Sequence, residues 1–482
     1  MIETIKNYID GSWKASKSER GQDVRNPATG EVLARVPFST KEEVQSTIAA
    51  SKAAFLEWRE VPAVTRARYL FTLKQLMEEN FEELARTVVA EHGKILDEAR
   101  GEVRRGIENI EVAVGVPSMM MGYNLENVAS GIDEYAMRVP LGPFAVIPPY
   151  NFPMMVPLWF LPYAIACGNT IIIKPSEQVP LTQTKLFELI DEAGFPSGVV
   201  SMVHGGRDVV EALIDSPDVR GVSFVGSSNV AKQVYSRATS NGKRAQCQGG
   251  AKNFIAVMPD CNLEKNIGSL ITSFYGCSGQ RCLAGSVFLA IGDAYEPLKK
   301  RFVEAAGKLK IGNGNDESVQ MGPVISQAHK EKILGFIETG IKEGAKLILD
   351  GRNVKVPGGE KGYFIGPCVF DDVTPEMTIA REEIFGPVAS IVRVENLDQA
   401  IDVIDKNPYG NAAALYTSSG NAARQFRTRV SCGNIGINIG VPAPMALFPF
   451  GGMKNSFFGD LHSQGREAIE FYTDRKVLIE RW

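Results

Sequence analysis

The feature that most constrains this chain is an alternation along its middle, in which short apolar runs are followed repeatedly by amphipathic stretches. FAVI leads into a turn, TIIIKP precedes TKLFELIDEAG, VVSMVHG precedes VVEALIDSP, and GVSFVGS precedes VAKQVYSRATS. Strands separated by helical crossovers build a parallel sheet with helices on its faces, so roughly residues 140–250 are expected to form a wound α/β unit, the candidate for nucleotide binding. A second alternating block begins at NFIAVMP. It continues through LEKNIGSLITSFYG as helix and SVFLAIG as strand to SIVRV, ALYTS and GNIGINI near residue 438, which predicts a second α/β unit. The first 120 residues read mostly as long helices with Glu/Lys-rich outer faces, and Met119–Met121 reads as core filler.

A chain of 482 residues is long enough for two or three domains and buries a large core without disulfide staples. Charged residues make up 22% and the net charge is −4, which argues against a nucleic-acid footprint and for a small-molecule partner. His92, His204, His329 and His462 lie in no ligand spacing, so no metal site is expected. Seven cysteines with no CxxC pair, and an N-terminal stretch without a charged-then-apolar signal pattern, point to a reducing, cytoplasmic setting. The apolar run Met154–Ile173 is about as long as a membrane span. Pro157, Pro162, Gly168 and Asn169 instead break it into a short helix, a turn and the strand Thr170–Ile173, as expected of a buried core segment.

The chemistry concentrates in Gly279-Gln280-Arg281-Cys282-Leu283-Ala284-Gly285-Ser286, a small-residue turn between an apolar helix and a strand that could present a thiol to a cleft. A thiolate is a strong nucleophile, and nearby cations or helix-end dipoles would lower its pKa, although a lone cysteine is more commonly buried and inert. Three more strings accompany it: Pro149-Tyr150-Asn151-Phe152-Pro153, Lys174-Pro175-Ser176-Glu177, and Glu382-Glu383-Ile384-Phe385-Gly386-Pro387. In this order and spacing the four strings closely resemble the aldehyde dehydrogenase superfamily, over nearly the whole chain. The resemblance implies an α/β fold with a Rossmann-type NAD-binding domain (1–122 and 141–250), a second α/β catalytic domain (251–440), and a small oligomerisation arm (123–140 and 460–482). A homodimer or homotetramer is implied with it.

It also implies roles. Cys282 is the nucleophile, and the Asn151 amide with the cysteine backbone N–H holds the oxyanion. Tyr150, Phe152, Lys174, Glu177, Gly226, Ser227, Glu383 and Phe385 are the NAD contacts. Lys174 and Glu177 serve the adenosine ribose, Gly226-Ser227 meets the pyrophosphate before a helix, and Glu383 and Phe385 lie at the nicotinamide half. Plainer roles remain open at this point: Asn151 as a turn former, Lys174 and Glu177 as a surface pair, Phe385 as core packing.

One position departs from the hydrolytic members of the superfamily, in which a glutamate opening an E-L-G-G-K string activates water. Here the string is Gln248-Gly249-Gly250-Ala251-Lys252-Asn253; aligning Lys252-Asn253 places Gln248 at the glutamate, and aligning the Gly-Gly pair places Cys247 there. Neither is a carboxylate, and a glutamine amide takes no proton at neutral pH. With the Gly-Gln-Arg-Cys turn and Phe471-Tyr472-Thr473, this is similar to the CoA-acylating methylmalonate-semialdehyde dehydrogenase branch. That likeness implies coenzyme A as co-substrate, and Arg105 and Arg281 as a clamp on a substrate carboxylate. A structural salt bridge is the alternative for each arginine. A hydrolytic dehydrogenase making a free acid, and an inert binding or structural member, are the competing readings of the whole chain.

Overall fold

The computed structural model describes residues 2–482, which form two large sheets, one of three strands and two of two strands. In the first sheet five parallel strands lie side by side in the order Val200–Met202, Thr170–Ile173, Pro143–Ile147, Gly221–Val225, Arg244–Gln248. Each is buried along nearly its whole length, which explains the largely apolar runs of the first four; Arg244–Gln248, with the sequence RAQCQ, is buried without being one. The chain starts at Pro143–Ile147, builds outward on one side, then returns to pair Gly221–Val225 with that same first strand. The order of winding reverses there, and a crevice opens beyond the carboxyl ends of the two strands.

The second sheet runs Lys346–Leu349, Cys368–Asp371, Val388–Val394, Gly285–Ile291, Asn253–Val257, Ala412–Tyr416, Asn434–Ile437, all parallel except the first pair. The third sheet is antiparallel, with Thr473–Arg481, Ile132–Pro140 and Tyr123–Ala129 paired in that order.

The N-terminal region holds more than helices. Four strands precede residue 38, and Asn7–Ile9 adds to the first sheet antiparallel to Val200–Met202. A three-residue strand carries too little periodicity to be read locally; its pairing partner lies about two hundred residues away in the chain, set by tertiary context. The long helices follow as expected, beginning with Lys41–Trp58, whose N-terminus is closed by a reciprocal capping box between Thr40 and Glu43.

Met154–Ile173 resolves into the short helices Met155–Leu158 and Leu161–Ala166 and the buried strand Thr170–Ile173. Among the described residues no helix is long and apolar enough to cross a membrane. The methionine run is only partly core. Met119 and Met120 pack half-buried against the first hydrophobic cluster, whereas Met121 is 75% exposed, because the helix ends at Met119 and the chain turns out into the Tyr123–Ala129 strand.

Candidate active site

Cys282 sits on a turn that other parts of the chain hold from several sides. The helix Leu263–Tyr275 ends in a kinked segment in which Cys277 and Ser278 both adopt positive φ, 50° and 55°. Gly279 follows at φ 73°; a side chain there would bring its first carbon within 2.2 Å of the Gly386 carbonyl, so only glycine fits. The Cys282 carbonyl accepts two amide hydrogen bonds, from Asn253 Nδ2 at 2.8 Å and Asn411 Nδ2 at 2.7 Å. Asn253 opens one strand of the second sheet and Asn411 immediately precedes its neighbour. The turn is therefore anchored to the rigid end of the sheet.

Asn151 lies in the loop after the strand Pro143–Ile147 and is buried, its Nδ2 donating to the Gln280 carbonyl at 2.9 Å. Its own backbone carbonyl accepts from Lys94 Nζ at 2.7 Å, and Lys94 is paired with Glu102 at 2.6 Å, both side chains fully buried. Glu102 in turn accepts from the backbone N–H groups of Met154 and Met155, and Lys94 Nζ lies 4.0 Å from the centre of the Phe152 ring. One ion pair thus fixes the whole Asn151–Met155 loop against the helix Leu96–Ala113. Neither member belongs to any of the four sequence strings.

Two cavities meet at the thiol. One, of about 430 Å³, is lined by Tyr150, Phe152, Lys174, Glu177, Gly226, Ser227, Glu383 and Phe385, so all eight expected cofactor contacts lie around one groove, with Asn151. Lys174 is buried and pairs with Glu177 at 2.8 Å inside it. The groove opens at the crevice between the strands Pro143–Ile147 and Gly221–Val225, where Gly226-Ser227 leads into the helix Ser228–Ser240. The second cavity, of about 740 Å³, is lined by Arg105, Arg281, Glu98, Thr272 and Gln464 among others; Cys282, Phe152 and Trp159 belong to both.

The arginines reach the second cavity already partnered. Arg281 Nη2 is 2.8 Å from Glu98 Oε1, and its Nε donates to Cys277 Sγ at 3.2 Å. Arg105 donates to the Pro444 carbonyl and lies 3.4 Å from Glu108. Each takes part in an intramolecular ion pair and still lines the cavity. Gln248 ends the strand Arg244–Gln248, buried, its Nε2 directed to the Phe450 carbonyl at 3.3 Å and to Ser463 Oγ at 3.2 Å. It lines neither of these two cavities.

The electrostatics run against one expectation. Burial pushes the Cys282 thiol up to about 12, the Glu383 carboxylate adds to the rise, and Arg281 opposes it only weakly. Desolvation outweighs the nearby cation. Burial likewise raises Glu383 to about 7, against the hydrogen bond it accepts from the Ala251 N–H at 2.9 Å, and lowers Lys252 to about 7. A side chain at position 250 would come within 2.4 Å of Glu383 Oε2 and push that carboxylate aside. The arrangement provides a half-buried cysteine lining both cavities, the Asn151 amide in the groove on one side, and guanidinium groups in the cavity on the other. Among the described residues no cluster of three or more His, Cys, Asp or Glu has the geometry to hold a metal ion.

This arrangement has close parallels among known proteins. The chain is 51% identical over 481 residues to malonate-semialdehyde dehydrogenase 1 of Geobacillus thermodenitrificans, covering 100% of this chain and 99% of that one. It superimposes with a TM-score of 0.98 and 44% identity on the crystal structure of methylmalonate-semialdehyde dehydrogenase from Oceanimonas doudoroffii, covering 100% and 99% of the two chains. Betaine aldehyde dehydrogenase from Staphylococcus aureus in complex with NAD+ matches at TM-score 0.95 and 28% identity, covering 99% and 95%. The sequence pattern of the aldehyde dehydrogenase family matches residues 13–478, and the chain belongs to that family.

Proposed function

We propose that this protein oxidises malonate semialdehyde or its 2-methyl form with loss of CO2 and delivers the acyl group to coenzyme A as acetyl-CoA or propionyl-CoA. The observation that carries the reading is that Arg105 and Arg281 line the same cavity as Cys282, which puts two carboxylate-binding forks beside the nucleophile. The names of the relatives from Geobacillus and Oceanimonas support it.

In this reading Cys282 loses its proton and adds to the aldehyde carbon, and the Asn151 amide with the Cys282 backbone N–H receives the charge that develops on oxygen. The groove residues suit a dinucleotide. Glu177 beside Lys174 would take a ribose hydroxyl and repel a 2′-phosphate, the N-terminus of Ser228–Ser240 would face the pyrophosphate, and the space kept open at Gly250 lets Glu383 reach a second ribose. NAD, when bound there, supplies the hydride acceptor that turns the thiohemiacetal into a thioester. The β-carboxylate of that thioester leaves as CO2, the thioester carbonyl accepts the electron pair and the resulting enolate takes a proton at carbon; transfer of the acyl group from Cys282 to the thiol of coenzyme A completes the turnover, in either order with the loss of CO2.

Gln248 supports the choice of acceptor. Its amide cannot activate water, and its N–H groups are engaged with Phe450 and Ser463. The three-stranded sheet of Tyr123–Ala129, Ile132–Pro140 and Thr473–Arg481 is proposed as the oligomerisation arm of a homodimer or homotetramer, since Val477 and Ile479 stand exposed on its edge strand.

Product analysis tests the reaction. Malonate semialdehyde, methylmalonate semialdehyde and propanal, each with and without CoA, are expected to give acyl-CoA and CO2 from the first two at steady state, in the presence of CoA. Sustained NADH formation without CoA, yielding free acid, would sink the acylating reading.

A further inference from the structure

Gln464 occupies a backbone conformation that side chains avoid. Its φ is 71° and ψ 167°, a region that is essentially glycine-only, and it precedes Gly465, itself at φ 56°. The residue is 2% exposed, yet it lines the 740 Å³ cavity together with Cys282, Trp159, Phe450 and Arg281. Its Oε1 is buried and accepts no hydrogen bond. Glycine would hold the same turn without strain, since the anchor at this corner is a backbone bond from the Gly465 N–H to the Ala446 carbonyl. A polar side chain is thus kept at a conformational cost and left with an unmet acceptor, and both features point to a ligand that brings the donor.

The reactants of the proposed reaction differ in what they offer. The aldehyde and the carboxylate of the substrate carry only acceptors, and the dinucleotide is assigned to the other cavity. The thiol acceptor carries an amide N–H two carbons from its sulfur. We propose that Gln464 recognises the acyl acceptor, its amide oxygen accepting that N–H as the thiol approaches the Cys282 thioester. The inference rests on the acylating reading and adds a residue that selects amide-bearing thiols over others. No new bond chemistry is involved: the acceptor sulfur bonds to the acyl carbon, the Cys282 C–S bond breaks, and the proton of the acceptor thiol passes to the Cys282 sulfur.

Two acceptors of equal shape test it, N-acetylcysteamine and 2-mercaptoethyl acetate, which has oxygen where the first has N–H. The wild-type chain is expected to prefer the amide by about tenfold in kcat/KM for the acceptor, the size of one well-placed hydrogen bond. Gln464→Leu and Gln464→Gly should bring the ratio to about one. Gln464→Gly should melt at or above the wild-type temperature because strain is relieved. A Gln464→Gly chain that keeps the preference, or that melts below the wild type, overturns the proposal. Wild-type protein that takes up neither thiol while releasing free acid overturns the acylating reading instead, and the acceptor site with it.

Discussion

The groove at Cys282 takes its walls from the carboxyl ends of parallel strands, whereas the arginine-lined cavity takes its walls from the helices Leu96–Ala113 and Leu263–Tyr275 and the chain from Val441 to Gln464. In the groove Asn151, Lys174, Glu177 and Ser227 follow strands that bury every residue, so their positions are set by the sheet, while Glu383 follows the short helix Thr378–Arg381. In the cavity the charged groups sit on long side chains held by other charges, Arg281 by Glu98 and Arg105 by Glu108. A family can therefore keep one cofactor geometry while side chains on the other side retune the substrate.

Removing the shared element should affect both regions most unequally. Cys282→Ser is expected to lower turnover by roughly 10⁴-fold or more, the scale for losing a covalent nucleophile. NAD affinity, followed by fluorescence titration, should stay within a few-fold of wild type; its loss would mean that the two regions are one site. Asn151→Ala removes the amide donor and should cost about 10²- to 10³-fold in kcat with little change in KM. A change confined to KM would reassign Asn151 to holding the loop.

Charge on the cavity side should act on substrate choice alone. Arg281→Leu is expected to raise KM for malonate semialdehyde by about 10- to 100-fold and to leave propanal nearly unaffected, as for loss of charge-assisted hydrogen bonds. Equal effects on both aldehydes would reduce Arg281 to the structural partner of Glu98. A last prediction concerns the resting thiol and involves no substitution. With a pKa near 12, its thiolate fraction rises about tenfold per pH unit below that value, so alkylation of Cys282 without ligands should climb steadily from pH 7 to 10. A plateau below pH 9 would show that the thiol is ionised more easily than its burial implies.

Sequence carries the groove further than the cavity. Asn151, Lys174, Glu383 and Cys282 stand in short strings with distinctive neighbours, and the alternation of apolar and amphipathic runs by itself puts the first two at strand ends. Lys94 and Glu102 leave no comparable trace. They lie eight positions apart on a segment whose buried face is otherwise Leu96, Ala99, Val103 and Ile107, and only packing against the Asn151 loop reveals why charges belong there. Gln464 is invisible for another reason: its meaning lies in a dihedral angle, which composition does not encode. For Cys282 the sequence points to a lowered pKa and the fold to a raised one, because an adjacent arginine is plain in the sequence, whereas the amount of protein around a thiol is not.

The Lys94–Glu102 pair also limits how this chain can change. Removing either partner strands a buried charge and costs about 3–5 kcal/mol, while exchanging both for well-packed apolar residues can be nearly neutral for folding. Stability alone would permit that double exchange, but the Asn151 carbonyl would then lose the ammonium it now faces. The pair can be left only by two coordinated steps, and the second destination holds the Asn151 loop less firmly. A position that looks replaceable on paper is thus held in place from two directions, by the fold against single changes and by the site against double ones.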